Sequence, residues 1–261
     1  MFKLSQVKIA HRLPVFVVLM ATIVAISLGT LNYSQTKSLV QHELNLELTA
    51  ILESRSATLA SYMESIEQDL KTVATNPNTL TALKAYEDGW AALGNNQLAQ
   101  LQELYITSNP NPLGEKEKLD AAPDGSLYSQ AHATYHPWFR HFLNERGYYD
   151  IFLFNLKGDL VYTVFKELDY ATNLNNGKYK TTDLGNAFRA ALPDQQTGKL
   201  HFFDFQPYAP SNDLPASFIS TLITDENGQA AGVLVFQMPI DRLNSILQVY
   251  EGMGEQGETY L

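Results

Sequence analysis

The chain has no cysteine among its 261 residues. Disulfides, thiolate zinc sites and cysteine nucleophiles are therefore excluded. Basic residues are scarce, with 18 Lys and Arg against 28 Asp and Glu and a formal net charge of −10. A nucleic-acid binder needs a basic face to neutralise phosphates, so that class of partner is not expected. There is no G-x-S-x-G elbow and no P-loop, and hence no hydrolase turn and no phosphate cradle of those kinds. One glycine run, Gly252, Gly254 and Gly257, has dinucleotide-motif spacing. It follows a helical segment instead of opening one after a strand, so it reads as a flexible junction. No catalytic residue, metal or cofactor is assigned on these grounds. What is present is apolar: 45% hydrophobic and 11% aromatic residues, enough for a packed core and unlike a disordered chain.

The apolar residues are unevenly spread. Residues 13–31 contain no charge, and about 20 such residues in a helix cross a hydrocarbon layer of roughly 30 Å. Lys3, Lys8 and Arg12 precede this run without any acid, while the remaining 15 basic and all 28 acidic residues follow it. The positive-inside rule then places residues 1–12 in the cytoplasm and the rest across the membrane. No A-x-A cleavage site follows the run, so an anchor is expected and not a removed signal peptide.

Residues 38–73 lack Gly and Pro, and Leu44, Leu48, Ile51, Leu59, Ile66, Leu70 and Val73 recur at helical spacing. This predicts a long amphipathic helix continuing the membrane span and stopped near Pro77. Helices are expected at 79–93, 97–107 and 127–145, the last ended by Gly147. The period then changes to 2. Strands are predicted at 149–155, 160–166, 200–206, 218–224 and 231–238, with helices at 182–192 and 240–250. Hairpin turns at Gly158 and Gly228 imply an antiparallel sheet, and the class is α+β.

Two runs, GYYDIFLFNLKGDLVYTVFKELDYATNL (147–174) and FDFQPYAPSNDLPASFIS (203–220), resemble the extracytoplasmic Cache sensor domains of bacterial chemoreceptors. GVLVFQMPIDRLNSIL (232–247) extends the resemblance. It is closest to the double-Cache type of methyl-accepting chemotaxis protein. The resemblance implies a PAS-like five-stranded antiparallel sheet carried by the long helix. The division is then a cytoplasmic tail at 1–12, a span at 13–31, a stalk helix at 32–76 and a membrane-distal module at 77–251. Residues 252–261 would open a second, membrane-proximal module, so the chain is expected to be a fragment lacking its output domain. The implied location is the bacterial inner membrane with the sensor in the periplasm or outside. The implied partners are a small-molecule ligand and a second copy of the chain, paired through the stalk helix. A histidine kinase or nucleotide cyclase could carry the same sensor, and an anchored protein that does not signal is a further reading.

In such a module the ligand lies between one sheet face and the loop and helix covering it. Strand alternation puts Tyr162 with Lys166, and Asp204 with Tyr208, on candidate faces. Lys166 is a partner for a ligand carboxylate and Asp204 for an amine. Asp169 and Phe218, within the two resembling runs, complete the six expected ligand-binding residues. Amino-acid-binding Cache receptors carry Arg-x-Trp/Tyr after the second strand; here that stretch has Lys178, Tyr179 and Arg189 but no Trp. His132, His136 and His141 read as structural, because Pro137 interrupts the i, i+4 pair and no acidic ligand matches it. Trp138, Phe139 and Phe142 read as core residues of that helix.

Overall fold

A computed structural model describes residues 9–194 and 198–247. The first helix, α1 (Ile9–Ala74), is continuous through Pro14. The described residues divide into two compact units, one of residues 9–58 and the other of residues 59–194 and 198–247. In the first unit the described residues are helical, and the apolar side chains from Leu13 to Leu31 are exposed. Among the described residues, α1 is the one helix long and apolar enough to cross a membrane. The segment 252–261, with its glycines and the expected start of a second module, lies outside the described residues.

The second unit holds the sheet. Beyond the last turns of α1 come α2 (Pro77–Ala92), α3 (Gln97–Gln102) and α4 (Leu127–Arg146). Strands β1 (Asp150–Asn155) and β2 (Leu160–Thr163) follow, then α5 (Asp183–Ala191), β3 (His201–Tyr208), β4 (Leu214–Thr224), β5 (Ala230–Met238) and α6 (Ile240–Leu247). The spatial order is β2-β1-β5-β4-β3, antiparallel throughout.

Local chemistry sets the helix ends. Asn76 accepts the N–H of Asn78 at 2.9 Å and Pro77 takes the first turn of α2, where its missing donor costs nothing. Ser126 caps α4 through the Ser129 N–H at 3.1 Å, and Gly147 closes it in the left-handed region at φ 73°. Thr182 caps α5 through the Gly185 N–H.

One sheet face packs on α1, α2 and α4. Its core combines Ile66, Leu70 and Val73 with Leu83 and Tyr86, Phe139 and Leu143, and the strand residues Leu153, Ile219, Leu234 and Phe236. Each such aliphatic or aromatic side chain contributes about 1.5–3 kcal/mol on burial. The opposite face packs on α5 through Leu184, Ala187 and Phe188 against Phe152, Phe154, Leu222 and Val235. Between α2 and α4 the approach is close enough that a Cβ on Gly89 would lie 2.5 Å from the Tyr128 Cα. Arg146 Nε and the Tyr148 hydroxyl both donate to Asp69, at 2.5 and 2.6 Å, tying α1 to the end of α4.

Two bulges depart from simple alternation. In β2 the register with β1 shifts between Phe154↔Leu160 and Leu153↔Tyr162. Leu160 therefore faces α5 while Tyr162 faces the helical layer. In β3 the register shifts between Phe203↔Phe218 and Gln206↔Ala216. Two residues then oppose one, and the strand bends there. Trp138 is 41% exposed, in contrast to the core position expected for it, whereas Phe139 is buried.

Candidate functional site

The loop from Val164 to Leu174 wraps the end of β2 and carries the densest group of buried charges. Its anchor is Asp150, the first residue of β1 and fully buried. Its Oδ1 accepts the N–H groups of Ile151, Val164 and Phe165 at 2.7, 2.9 and 3.2 Å, and Oδ2 accepts the Thr163 hydroxyl. A carboxylate with four donors is satisfied. Asp150 therefore fixes where β2 stops, at Thr163 and not at Lys166. Burial still pushes its pKa well above the usual range, with Thr163 and the Ile151 N–H opposing.

Lys166 follows in the left-handed region at φ 58°, which is costly for a residue with a Cβ. Its side chain is fully buried on the helical side of the sheet. The ammonium donates to the Val164 carbonyl at 2.9 Å, lies 3.4 Å from His136 Nε2, and sits 6.0 Å from the Tyr105 ring centre. Burial lowers its pKa to about 7, and the Asp150 charge opposes that shift.

Tyr162 belongs to the same region. Its hydroxyl bonds His136 Nδ1 at 2.7 Å, and its ring stacks on Tyr86 at 4.6 Å between centroids. His136 Nε2 reaches the Glu117 carbonyl at 2.6 Å, which assigns the proton to Nε2 and makes Nδ1 the acceptor. Burial first, and then the Lys166 charge, lower the His136 pKa to about 2. His132 bonds the Asp120 carbonyl through Nδ1 at 2.6 Å, and burial lowers its pKa well below the ordinary value. His141 is exposed. Among the described residues no group of His, Asp and Glu is arranged to hold a metal.

Asp169, Tyr208 and Phe218 lie together on the α5 side. The Tyr208 hydroxyl donates to Asp169 Oδ2 at 2.5 Å, and the Tyr208 and Phe218 rings meet edge-on with centroids 5.1 Å apart. Asp169 is 1% exposed, and burial raises its pKa to about 7 against the pull of the Tyr208 hydroxyl. Beside it, half-buried Glu167 accepts from Tyr149 at 2.7 Å and from Ser211 at 2.6 Å. Gln237, across the register from both Asp150 and Phe218, donates its amide to Ser211. In front of Tyr208 and Phe218 an open cleft of about 240 Å³ runs between Gln206 and Pro207 of β3 and the segment from Thr181 to Asp183 that starts α5.

The six expected residues thus fall into three places. Tyr162 and Lys166 are buried against the helical layer, and Asp169, Tyr208 and Phe218 meet on the α5 side, where Tyr208 and Phe218 line the cleft and Asp169 does not. Asp204 is exposed, and its carboxylate accepts the N–H of Phe205 at 2.8 Å. It does not share a face with Tyr208, because it occupies the β3 bulge. Four polar residues of these networks carried no sequence signal: Asp150, Glu167, His136 as a partner of Tyr162, and Gln237. Each sits in or beside an apolar or aromatic run, and only the fold turns it inward.

No protein-family model and no curated protein matches the chain. Solved structures do. Its structural neighbours are extracellular sensor and ligand-binding domains. The sensor domain of the Vibrio cholerae histidine kinase DctB is 11% identical at a TM-score of 0.47, covering 80% of this chain and 60% of that one. The ligand-binding domain of the Pseudomonas fluorescens chemoreceptor CtaA, solved with L-serine, is 14% identical at 0.33, covering 65% and 60%. The sensory domain of the Campylobacter jejuni chemoreceptor Tlp3 is 14% identical at 0.34, covering 72% and 66%. The chain spans about 60% of the length of the first of these.

Proposed function

We propose that the chain is the ligand-sensing part of a transmembrane receptor, with the sheet module outside the cytoplasm and a small molecule as its signal. The observation that carries this reading is the open, partly aromatic cleft lined by Tyr208 and Phe218, in which Tyr208 is bonded to the buried Asp169. A buried carboxylate shifted by desolvation beside a concave aromatic site is the makeup of a binding pocket. The basic residues before the apolar run and the acidic surplus after it support a cytoplasmic N-terminus.

The receptor class proposed is the methyl-accepting chemotaxis type, working as a dimer through the stalk helix. A sensor histidine kinase or nucleotide cyclase uses the same module equally well, and the domain fused to it decides between them. In either, the ligand acts only through a difference in affinity between two arrangements of the module. The test is a thermal-shift screen of the full chain in lipid nanodiscs against amines, amino acids, organic acids and nucleobases. A ligand at a hundred times its Kd adds about 2.7 kcal/mol of stability. A panel that moves no melting transition overturns direct sensing.

A further inference from the structure

We propose that the segment Glu167–Tyr170 is a strap that couples the two faces of the sheet, so that a change at Tyr208 on the α5 side alters the packing of α3 and α4 on the other. The coupling goes beyond the sensing role proposed above, and its test needs no ligand.

The first support is that the strap is clamped from two layers. From β3 and the turn after it, the Tyr208 hydroxyl donates to Asp169 at 2.5 Å and Ser211 donates to Glu167 at 2.6 Å. From the helical layer, the Gln102 amide of α3 donates to two strap carbonyls, Leu168 at 3.2 Å and Tyr170 at 2.9 Å. The Tyr170 hydroxyl bonds that of Tyr128 in α4 at 2.7 Å, and its ring meets Tyr105 edge-on with centroids 6.0 Å apart. Four consecutive residues thus hold both layers.

The second support is stiffness. The Tyr170 N–H donates to the Glu167 carbonyl at 3.0 Å. The Thr172 N–H and hydroxyl both donate to the Asp169 carbonyl, at 3.0 and 2.6 Å. Two overlapping turns make Glu167–Thr172 one compact piece. A displacement of Asp169 therefore carries Leu168 and Tyr170 with it and is not lost in slack chain.

The third support is strain. Lys166 and Ala171 flank the four strap residues, with φ of 58° and 62°. Neither has the short polar side chain that eases the left-handed region. Backbone held in this way persists only while its surroundings over-determine it. Each clamp thus opposes a relaxation that the other clamp opposes as well. Losing one lets the backbone relax and weakens the other, and this dependence is reciprocal. The route continues to α1, because Arg146 and Tyr148 at the end of α4 both donate to Asp69.

A double-mutant cycle on the full chain in zwitterionic nanodiscs tests this. Tyr208→Phe deletes the donor on the α5 side and Gln102→Ala the donors on the helical side, with stability read by urea titration. For independent residues the two effects on the unfolding equilibrium multiply. Coupled clamps are expected to leave the double variant about fivefold short of that product, because the second clamp holds little once the first is gone. Hydrogen exchange without denaturant is the second readout. Tyr208→Phe is expected to speed exchange over residues 97–107, and Gln102→Ala over residues 206–214, each by about threefold. Leu184→Ala is the control. It opens a cavity in the core on the α5 side with a side chain that forms no hydrogen bond to the strap, so it lowers stability and leaves exchange over 97–107 unchanged. Tyr128→Phe, which deletes the bond to the Tyr170 hydroxyl, replaces Gln102→Ala if that variant does not fold. Effects that multiply in the cycle, or exchange that changes only on the face carrying the substitution, overturn the coupling. Neither result bears on ligand binding, so the sensing role is decided separately by its own screen.

Discussion

The Tyr208 hydroxyl and Asp169 Oδ2 are 2.5 Å apart, and this bond joins the last residue of β3 to the loop that follows β2. The two residues come from opposite edges of the sheet order, since β2 and β3 are its outer strands. The contact therefore closes the loop across the sheet end, and Tyr208 carries it to the cleft that its own side chain lines. Tyr208→Phe keeps the ring and deletes the donor, leaving a buried carboxyl oxygen unpaired. The expected loss is about 1–3 kcal/mol, read as a lower urea midpoint with an unchanged m-value. An unaltered midpoint would show that the bond contributes nothing.

Asp169 also sets a pH dependence. Burial raises its pKa to about 7 in the folded chain, above the ordinary carboxyl value. Between those two values the folded state holds the proton that the unfolded state has released. Its contribution to stability therefore falls as pH rises from about 4 to 7, by at most about 1.4 kcal/mol per pH unit. Glu167, raised by burial as well, acts in the same direction. Asp169→Asn removes the Asp169 part. The expected result is a variant that gains on the wild type as pH rises from 5 to 8, measured by urea titration at each pH. Parallel curves for the two proteins would contradict the shifted carboxyl.

His136 works in the opposite sense. It is held neutral down to about pH 2 by burial and by the nearby Lys166 charge. Below the ordinary imidazole value the unfolded chain takes up a proton that the folded chain refuses. Stability is thus lost as pH falls from about 6.5, where the unfolded ring begins to charge. His132, likewise lowered, adds to the same limb. His136→Gln retains a donor and an acceptor for the Glu117 carbonyl and the Tyr162 hydroxyl. It is expected to cost stability at pH 8 and to narrow the gap to wild type by pH 5. A gap constant with pH would show that the ring already titrates normally in the folded state.

The sequence pattern carried the sheet and its helices because periodicity is a local property. The strands, the Gly147 stop and the Thr182 cap all lie within a residue or a few of their expected places. The site was only partly legible, and the bulges are the reason. Strict alternation puts Tyr162 on one face with Lys166, and by the same period with Leu160, and it puts Asp204 with Tyr208. One extra residue in each strand sends Leu160 to the α5 side and leaves Asp204 in solvent. Nothing in the residues themselves marks a bulge that has no glycine. Lys166 and Asp169 were found as candidates, but only the Asp150 clamp explains why the loop between them turns one inward on each side of the sheet. The dyad of Asp150 and Thr163 is 13 positions apart in the chain and becomes visible only when β1 and β2 pair.

Lys166 offers a sharper test of that loop. Its buried amine has a pKa of about 7, far below the ordinary lysine value, so keeping it inside opposes folding wherever the unfolded lysine is charged. That penalty is complete below pH 7 and disappears as pH approaches 10.5. Lys166→Met has similar length and no charge. It is expected to be more stable than wild type at pH 6, with the advantage shrinking steadily toward pH 10. A variant less stable at every pH would show that the bond to the Val164 carbonyl outweighs the cost of the buried charge.

Gly89 tests the layer beneath. A Cβ at this position would lie 2.5 Å from the Tyr128 Cα and 2.7 Å from its nitrogen, both backbone atoms that cannot swing aside. Helix propensity alone favours Ala over Gly by about 1 kcal/mol, so an exposed Gly89 would gain from the change. Here α2 and α4 must separate instead, and overpacking of this kind costs about 1–3 kcal/mol. The separation would also pull Tyr128 from the Val161 carbonyl, which its hydroxyl meets at 2.6 Å, and from Tyr170 at 2.7 Å. Gly89→Ala is therefore expected to be destabilised in urea titration despite its better propensity. Its Tyr128 hydroxyl should exchange faster by NMR. A stabilised variant would mean that the two helices have room to spare.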